Sequence, residues 1–377
     1  MDFTLGEELE AVRGLADEIF TGDATPERVA EVEGSPTRVD AELWKELGRS
    51  GLLEIALPES AGGAGLGLGA LCVLLETQGR FVAPVPLWSA TVAALAVAAH
   101  GTPDQRRDLI SSHIAGTART TLALEEFGPY DPSAPACVAR PDGDAWRLTG
   151  VKAVVPSPFG ADHVLVAADS ERGTGLFVIT TDAEGVHWEE AVTTTRDLSG
   201  HLTLEGVRAQ ALGIPGTGVL ERTVEHASTA LAALQLGVAQ GALRRAADHL
   251  GEREQFGRPL GSFQAVQHQL ADCYIEIDAL RVCLWQAVTT IEEAAPAASE
   301  VLVAKWWAAH AGANTVHRVQ HLHGGVGVDV DHPIHRYFLW GRQIATTLGG
   351  ASAHLAGLGA VLADDARDDR HVGGAAS

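Results

Sequence analysis

Arg253-Glu254-Gln255-Phe256-Gly257-Arg258-Pro259-Leu260, followed by Phe263-Gln264 and Leu270-Ala271-Asp272, is the stretch on which the fold turns. It reads as a helix end with glycine at the exit, a proline that bars continuation and a new helix beyond. The helical pattern around it is long. Residues 220–250, 263–293 and 298–323 each run well past the ~10–14 residues of an average helix. Three or four such helices with short connections predict a bundle.

Upstream the period changes. Segments 120–124, 146–148, 163–167, 176–179 and 201–204 are short, alternating or β-branched, and separated by Gly, Pro and Asp. They predict a small antiparallel β domain. Further upstream the pattern is helical again. Asp2-Phe3-Thr4 offers an N-cap before Leu9, Val12, Leu15, Ile19 and Phe20, and a second helix near 40–50 carries Leu43, Trp44 and Leu47 and stops at Gly51. A Gly-rich loop at 58–65, a helix starting near Gly69 and a break at Pro84 and Pro86 follow. The expected division is a helical domain at 1–117, a β domain at 118–216, a helical bundle at 217–366 and a mobile tail at 367–377.

Composition sets limits on function. The chain has 377 residues, 27 basic and 49 acidic, with a net charge of −22, and 46% of it is hydrophobic. No basic surplus is available for displacing counterions from nucleic acid or for an anionic membrane surface, so neither is expected as a partner. A small anion needs only a few local basic groups. Cys72, Cys137, Cys273 and Cys283 form no C-x-x-C pair and read as free thiols of a reducing cytoplasm. The first residues have neither a basic nor an apolar leader region, which also points to the cytoplasm. Of the 16 histidines, eight lie after residue 309, but only Asp329 and Asp331 accompany them, so no metal site is assigned.

Taken together, the R-x-x-F-G stretch and the domain order resemble the acyl-CoA dehydrogenase family, whose fold is a helical domain, a β domain and a four-helix bundle. Further matches are Trp44 with Gly51-Leu52, Pro58-Glu59, Gly62-Gly63 and Gly65, then Pro84 and Pro86, and Gly324-Gly325-Val326-Gly327 with Pro333. The resemblance implies FAD as cofactor and an acyl-CoA thioester as substrate. It further implies that Arg253, Phe256, Gln264, His321, Gly324 and Gly325 reach the ADP half of a neighbouring subunit's FAD. A guanidinium suits a pyrophosphate and glycines let backbone N–H groups approach it. His321 stands where the family often has glutamine, with Gln320 beside it.

Other family features are missing. The usual base, a glutamate fifteen residues beyond the proline matching Pro333, would fall at Leu348, followed by Gly349 and Gly350, and no Asp or Glu occurs from His332 to Ala363. The alternative base position, on the first bundle helix, falls at Ala227. Glu225 is close in sequence but turned ~200° around a helix. The family's Thr-Glu-Pro and Gly-Ser-Asp stretch falls at Glu125-Glu126-Phe127-Gly128, and its Trp-x-Thr/Ser at Val154-Val155-Pro156. Retention of one half of a flavin site without the other implies a heteromer in which a homologous catalytic subunit supplies base and flavin-ring pocket. The chain resembles the non-catalytic subunits of bacterial heterotetrameric acyl-CoA dehydrogenases acting on steroid side-chain CoA thioesters. The run from His323 to Leu339 carries that match, as does Leu348-Gly349-Gly350-Ala351. Two alternatives remain: a stand-alone homo-oligomeric enzyme with Glu225 as base, and a non-enzymatic scaffold reusing the fold.

Overall fold

The computed structural model describes residues 5–128 and 131–373, with side chains as far as residue 364. The cap expected at Asp2-Phe3-Thr4 falls outside these residues, and the tail expected at 367–377 falls beyond the described side chains. The chain divides into two compact units, Thr4–Ala230 and Leu231–Ser377.

The first unit opens with helices α1 (Glu7–Asp23), α2 (Pro26–Glu33), α3 (Ala41–Arg49), α4 (Gly67–Phe81) and α5 (Leu87–His100), then the short turns α6 (Pro103–Gln105) and α7 (Ser111–Ile114). Val12, Ala16 and Phe20 recur every four residues on α1 and are all buried. Phe20 stacks on Phe81 at 6.2 Å, and burying such a ring contributes about 2–3 kcal/mol. Gly6, not a side chain, caps α1. Asp40 caps α3, accepting from the Glu42 and Leu43 N–H groups, and takes a bidentate ion pair from Arg28 at 2.7 and 2.8 Å. The α2 helix has no long apolar stripe and escapes sequence reading; its signal is the Thr25-Pro26 start, with Thr25 accepting from the Arg28 N–H.

Seven strands follow: β1 (Thr120–Ala123), β2 (Val138–Asp142), β3 (Ala145–Val155), β4 (His163–Ser170), β5 (Gly175–Thr180), β6 (Val186–Val192) and β7 (Leu198–Leu212). The pairings β4–β2, β2–β3, β3–β7, β7–β5 and β5–β4 close a ring, to which β1 and β6 are added. The ring is not wholly antiparallel as expected: β1 and β2 both run parallel to β4. Parallel pairing needs long connections, and the links from β1 and β2 to β4 supply them. Inside, Trp146 meets Phe177 edge-on at 5.3 Å, among Leu148, Val164, Val166, Leu202, Leu204 and Val207. The exposed faces of β2 and β6 are mostly polar, with Val138 and Val192 as exceptions, and the apolar pattern misses both strands.

The boundary between the units lies within α8 (Val219–Glu252). The second unit continues through the hairpin β8 (Glu254–Gln255) and β9 (Arg258–Pro259), α9 (Gln264–Glu292), α10 (Ala298–Trp307), α11 (Ala313–Leu322), α12 (Ile334–Thr346) and α13 (Ala351–Gly373). The single helix expected at 298–323 is interrupted by a π turn at Ala308–Gly312. A Cβ on Gly312 would meet the Gln235 amide at 2.1 Å, and one on Gly341 would meet Val316 at 2.8 Å. Small residues thus let α8, the π turn and α12 approach closely. The stretch 334–364 has the length of a membrane span, and an 18-residue window within it reaches a mean hydropathy of 1.2. It is two helices, broken where Leu348 and Gly349 take φ of 57° and 102°.

Candidate functional site

Arg253 lies one residue past the end of α8. Its N–H donates to the His249 carbonyl at 2.8 Å, and its own carbonyl accepts from the Leu260 N–H at 2.8 Å. The expected helix-exit glycine is instead the tip of a hairpin. Phe256 and Gly257 have φ of 55° and 78°, the pair of left-handed residues that a tight two-residue hairpin turn requires. The Phe256 side chain is 90% exposed. Arg258 lies over the Phe263 ring at 3.9 Å. Gln264, the first residue of α9, is exposed, as are Arg253 and His321.

Gly324–Val328 is a 3₁₀ turn following α11. Its three glycines differ in kind. Gly324 needs its freedom because φ is 62°, and Gly327 because a Cβ there would meet the Gln320 carbonyl at 2.4 Å. Gly325 has neither reason: its φ is not left-handed, and nothing lies within 4 Å of where a Cβ would stand.

These two segments are brought together by a residue that sequence reading missed. His249, one turn before Arg253, stacks on His323 with ring centroids 4.6 Å apart. The available signal was spacing: His249 lies four residues, about one helical turn, before Arg253.

Leu348, at the family's usual base position, is buried (4% exposed). His354 bonds the Gly349 carbonyl at 2.8 Å, and the buried Lys305 ammonium donates to the Ile344 carbonyl at 3.0 Å. Burial, with Lys305 nearby, pushes His354 down to about 4, so that ring is neutral at physiological pH. Ala227 is fully buried. Glu225 is half-buried rather than an exposed helix charge, and burial pushes its carboxyl up against the opposing pull of Arg222.

At the flavin-ring positions, polar groups are committed within the β domain. Glu126 pairs with Lys152 at 2.6 Å and accepts from the Ala136 and Cys137 N–H groups at 2.7 and 3.0 Å. Burial opposes its ionisation, yet these donors hold its carboxyl below the usual range. Val154 sits at φ 48° and donates its N–H to His201 Nδ1 at 3.2 Å. Phe127 packs on the His201 ring at 4.9 Å. Pro156 accepts from the Thr121 hydroxyl at 2.6 Å. The four cysteines are free, three of them buried.

The sequence matches the family description "Acyl-CoA dehydrogenase, N-terminal domain" over residues 6–117 and "Acyl-CoA dehydrogenase, C-terminal domain" over residues 215–360. It is 38% identical to acyl-CoA dehydrogenase FadE27 of Mycobacterium tuberculosis, across 97% of this chain and 99% of that protein. Among solved structures, it matches the Tcur3481-Tcur3483 steroid ACAD, studied as a variant, with a TM-score of 0.93 and 62% identity over 97% of this chain and 100% of that one. The ChsE4-ChsE5 complex from Mycobacterium tuberculosis matches with a TM-score of 0.91 and 38% identity over 96% and 99%.

Proposed function

Because the chain belongs to the acyl-CoA dehydrogenase family, we propose that it is one subunit of a heteromeric, FAD-dependent acyl-CoA dehydrogenase. It lends Arg253 and the Gly324-Gly325 turn to the ADP arm of a flavin held mainly by a homologous catalytic partner. The substrate class is an acyl-CoA thioester, with a steroid side chain as the acyl group, since the Tcur3481-Tcur3483 relative is a steroid ACAD. That relative and ChsE4-ChsE5 are named as pairs of chains, which supports a two-chain assembly.

The observation that carries this reading is Gly325. Its backbone angles and surroundings tolerate a side chain, so its backbone is open to close approach from outside this chain. Exposed Arg253 and Phe256 belong to the same end of the bundle. The residues therefore fit the pyrophosphate half of FAD: a guanidinium and unobstructed backbone N–H groups suit an anion. The β-domain residues do not fit the flavin ring, because the Val154 N–H is engaged by His201 and Phe127 lies on that imidazole. When bound, the flavin supplies the hydride acceptor for α,β-desaturation. Proton removal from the substrate falls to the partner, since Leu348 and Ala227 carry no base.

The test is coexpression with a homologous subunit that has the missing glutamate. The complex is expected to be yellow and active, and this chain alone colourless and inactive. A chain that alone holds normal flavin and dehydrogenates acyl-CoA sinks the proposal. Glu225 gives the stand-alone reading one supporting observation, its raised carboxyl. Glu225→Gln abolishing the activity of the isolated chain is the outcome that reading requires.

A further inference from the structure

Three imidazoles from separate segments meet at the foot of the Gly324–Val328 turn. His249 of α8 lies face to face with His323, with planes 18° apart. His332 completes a triangle, its ring 6.3 Å from His249 and 5.6 Å from His323. His323 immediately precedes Gly324, and His332 follows the turn before α12. The loop is thus fastened at both ends by rings that also hold it to α8.

The hydrogen bonds fix the protonation state that this packing accommodates. His323 Nδ1 lies 2.8 Å from the Val319 carbonyl. A carbonyl only accepts, so Nδ1 carries the proton and Nε2 is a bare lone pair. That Nε2 is buried without a partner. His335 repeats the pattern, with Nδ1 at 2.7 Å from the His332 carbonyl and Nε2 buried and unpartnered. The neighbouring charges are mostly positive. Arg245 of α8 bonds the Tyr337 hydroxyl at 2.9 Å, and Arg336 lies on α12 with His335 and Tyr337. Asp329 opposes them, but its carboxylate already accepts from the Asp331 N–H at 3.0 Å.

We propose that His249, His323 and His332 act as positioning residues, a proton-sensitive clasp that holds the Gly324–Val328 turn while neutral and releases it when protonated. A proton on one ring places positive charge beside two more imidazoles and Arg245. Like charges at such distances repel, and more strongly beside the buried His323 than in open water. Burial pushes His323 and His332 below the ordinary imidazole value of 6.5. The nearby His249 adds to this for both, and Arg245 for His332, which Asp329 partly opposes. Both folded values therefore lie below the unfolded one. The clasp is intact above pH 6.5 and is lost as pH falls from 6.5 through the depressed folded values. The effect on flavin rests on the function proposed above; the effect on the turn does not.

The test is hydrogen exchange on the full-length isolated chain at pH 7.5 and 5.5, corrected for the intrinsic chemical rate. The turn amides are expected to exchange roughly tenfold faster at the lower pH, while those of α9 hold. In the double variant His323→Phe/His332→Phe, which keeps both rings but removes the two groups that take the proton, the acceleration should fall below about threefold. Equal protection at both pH values, or loss spread evenly through the bundle, overturns the clasp. Should that variant fail to fold, side-chain ¹⁵N spectra of the wild type decide: a proton on His323 Nε2 rather than Nδ1 at pH 7.5 overturns it. Flavin retention by the coexpressed complex is then measured at the same two pH values. Parallel loss supports the link to FAD. A clasp that opens while flavin stays bound leaves the clasp standing and sinks the reading of the turn as a flavin site.

Discussion

The β-domain segments where the family's flavin-ring motifs would fall and the end of the bundle proposed for the ADP arm treat their polar groups in opposite ways. In the β domain, Glu126 is used by Lys152 and two amides, and the Val154 N–H by His201. At the bundle end, Arg253 and His321 are exposed, and Gly325 has room for a side chain. A residue with an internal partner stabilises its own chain. A residue without one acts, where it acts at all, on something else. Substitutions in the two regions should therefore separate stability from flavin binding.

The largest expected effect is in the β domain. Lys152→Met leaves the nearly buried Glu126 carboxylate without its cation and should destabilise the protein by about 3–5 kcal/mol, seen as a lower midpoint in urea. Acid should act on the same group. The folded value of Glu126 lies below its unfolded value of 4.5, so its contribution is present above pH 4.5 and is lost as pH falls through the depressed value. An acid-unfolding midpoint unchanged by Glu126→Gln would break this half of the comparison.

Next comes Arg253→Ala, expected to lower FAD affinity of the coexpressed complex by about ten- to a hundredfold, the range of a charge-assisted phosphate contact. Isothermal titration with FAD reads that loss. The urea midpoint of the isolated chain should stay within about 0.5 kcal/mol of wild type. Gly325→Ala sharpens the contrast because its two effects have opposite signs. Flavin affinity should fall by about tenfold as a methyl intrudes, while the isolated chain gains about 0.5 kcal/mol from reduced unfolded-state entropy. Phe256→Gly, which relieves a left-handed phenylalanine, should stabilise the isolated chain by about 1 kcal/mol. The smallest effect is expected for Glu225→Gln, which should leave the turnover of the complex unchanged.

Much of the fold was legible because long helices announce themselves. The patterns at 220–250 and 263–293 correspond to α8 and α9 within a residue or two at each end. The short segments were read from β-branched alternation, and the ring they close was not visible, since β2, which completes it, has a single buried residue. Among candidate site residues, Arg253, Phe256, Gln264, His321, Gly324 and Gly325 could be named in advance only through the family resemblance. His249 could not: a lone histidine on a helix has many fates, and only the tertiary stack on His323 selects one. Likewise Leu348 could be named as a position without a base, but its left-handed φ and its burial show only in the fold.

The π turn at Ala308–Gly312 has a consequence for helical phase. An i→i+5 turn takes in one residue more than an α turn, and one residue corresponds to ~100° about the axis. His317, His321 and His323 all follow it and inherit that offset. Deleting a single alanine from this turn would leave composition and hydrophobicity almost untouched, yet would swing His323 away from His249 and His321 to another side of the helix. The alignment of the whole end of the bundle is thus set by one extra residue, locked in register where Gly312 meets Gln235.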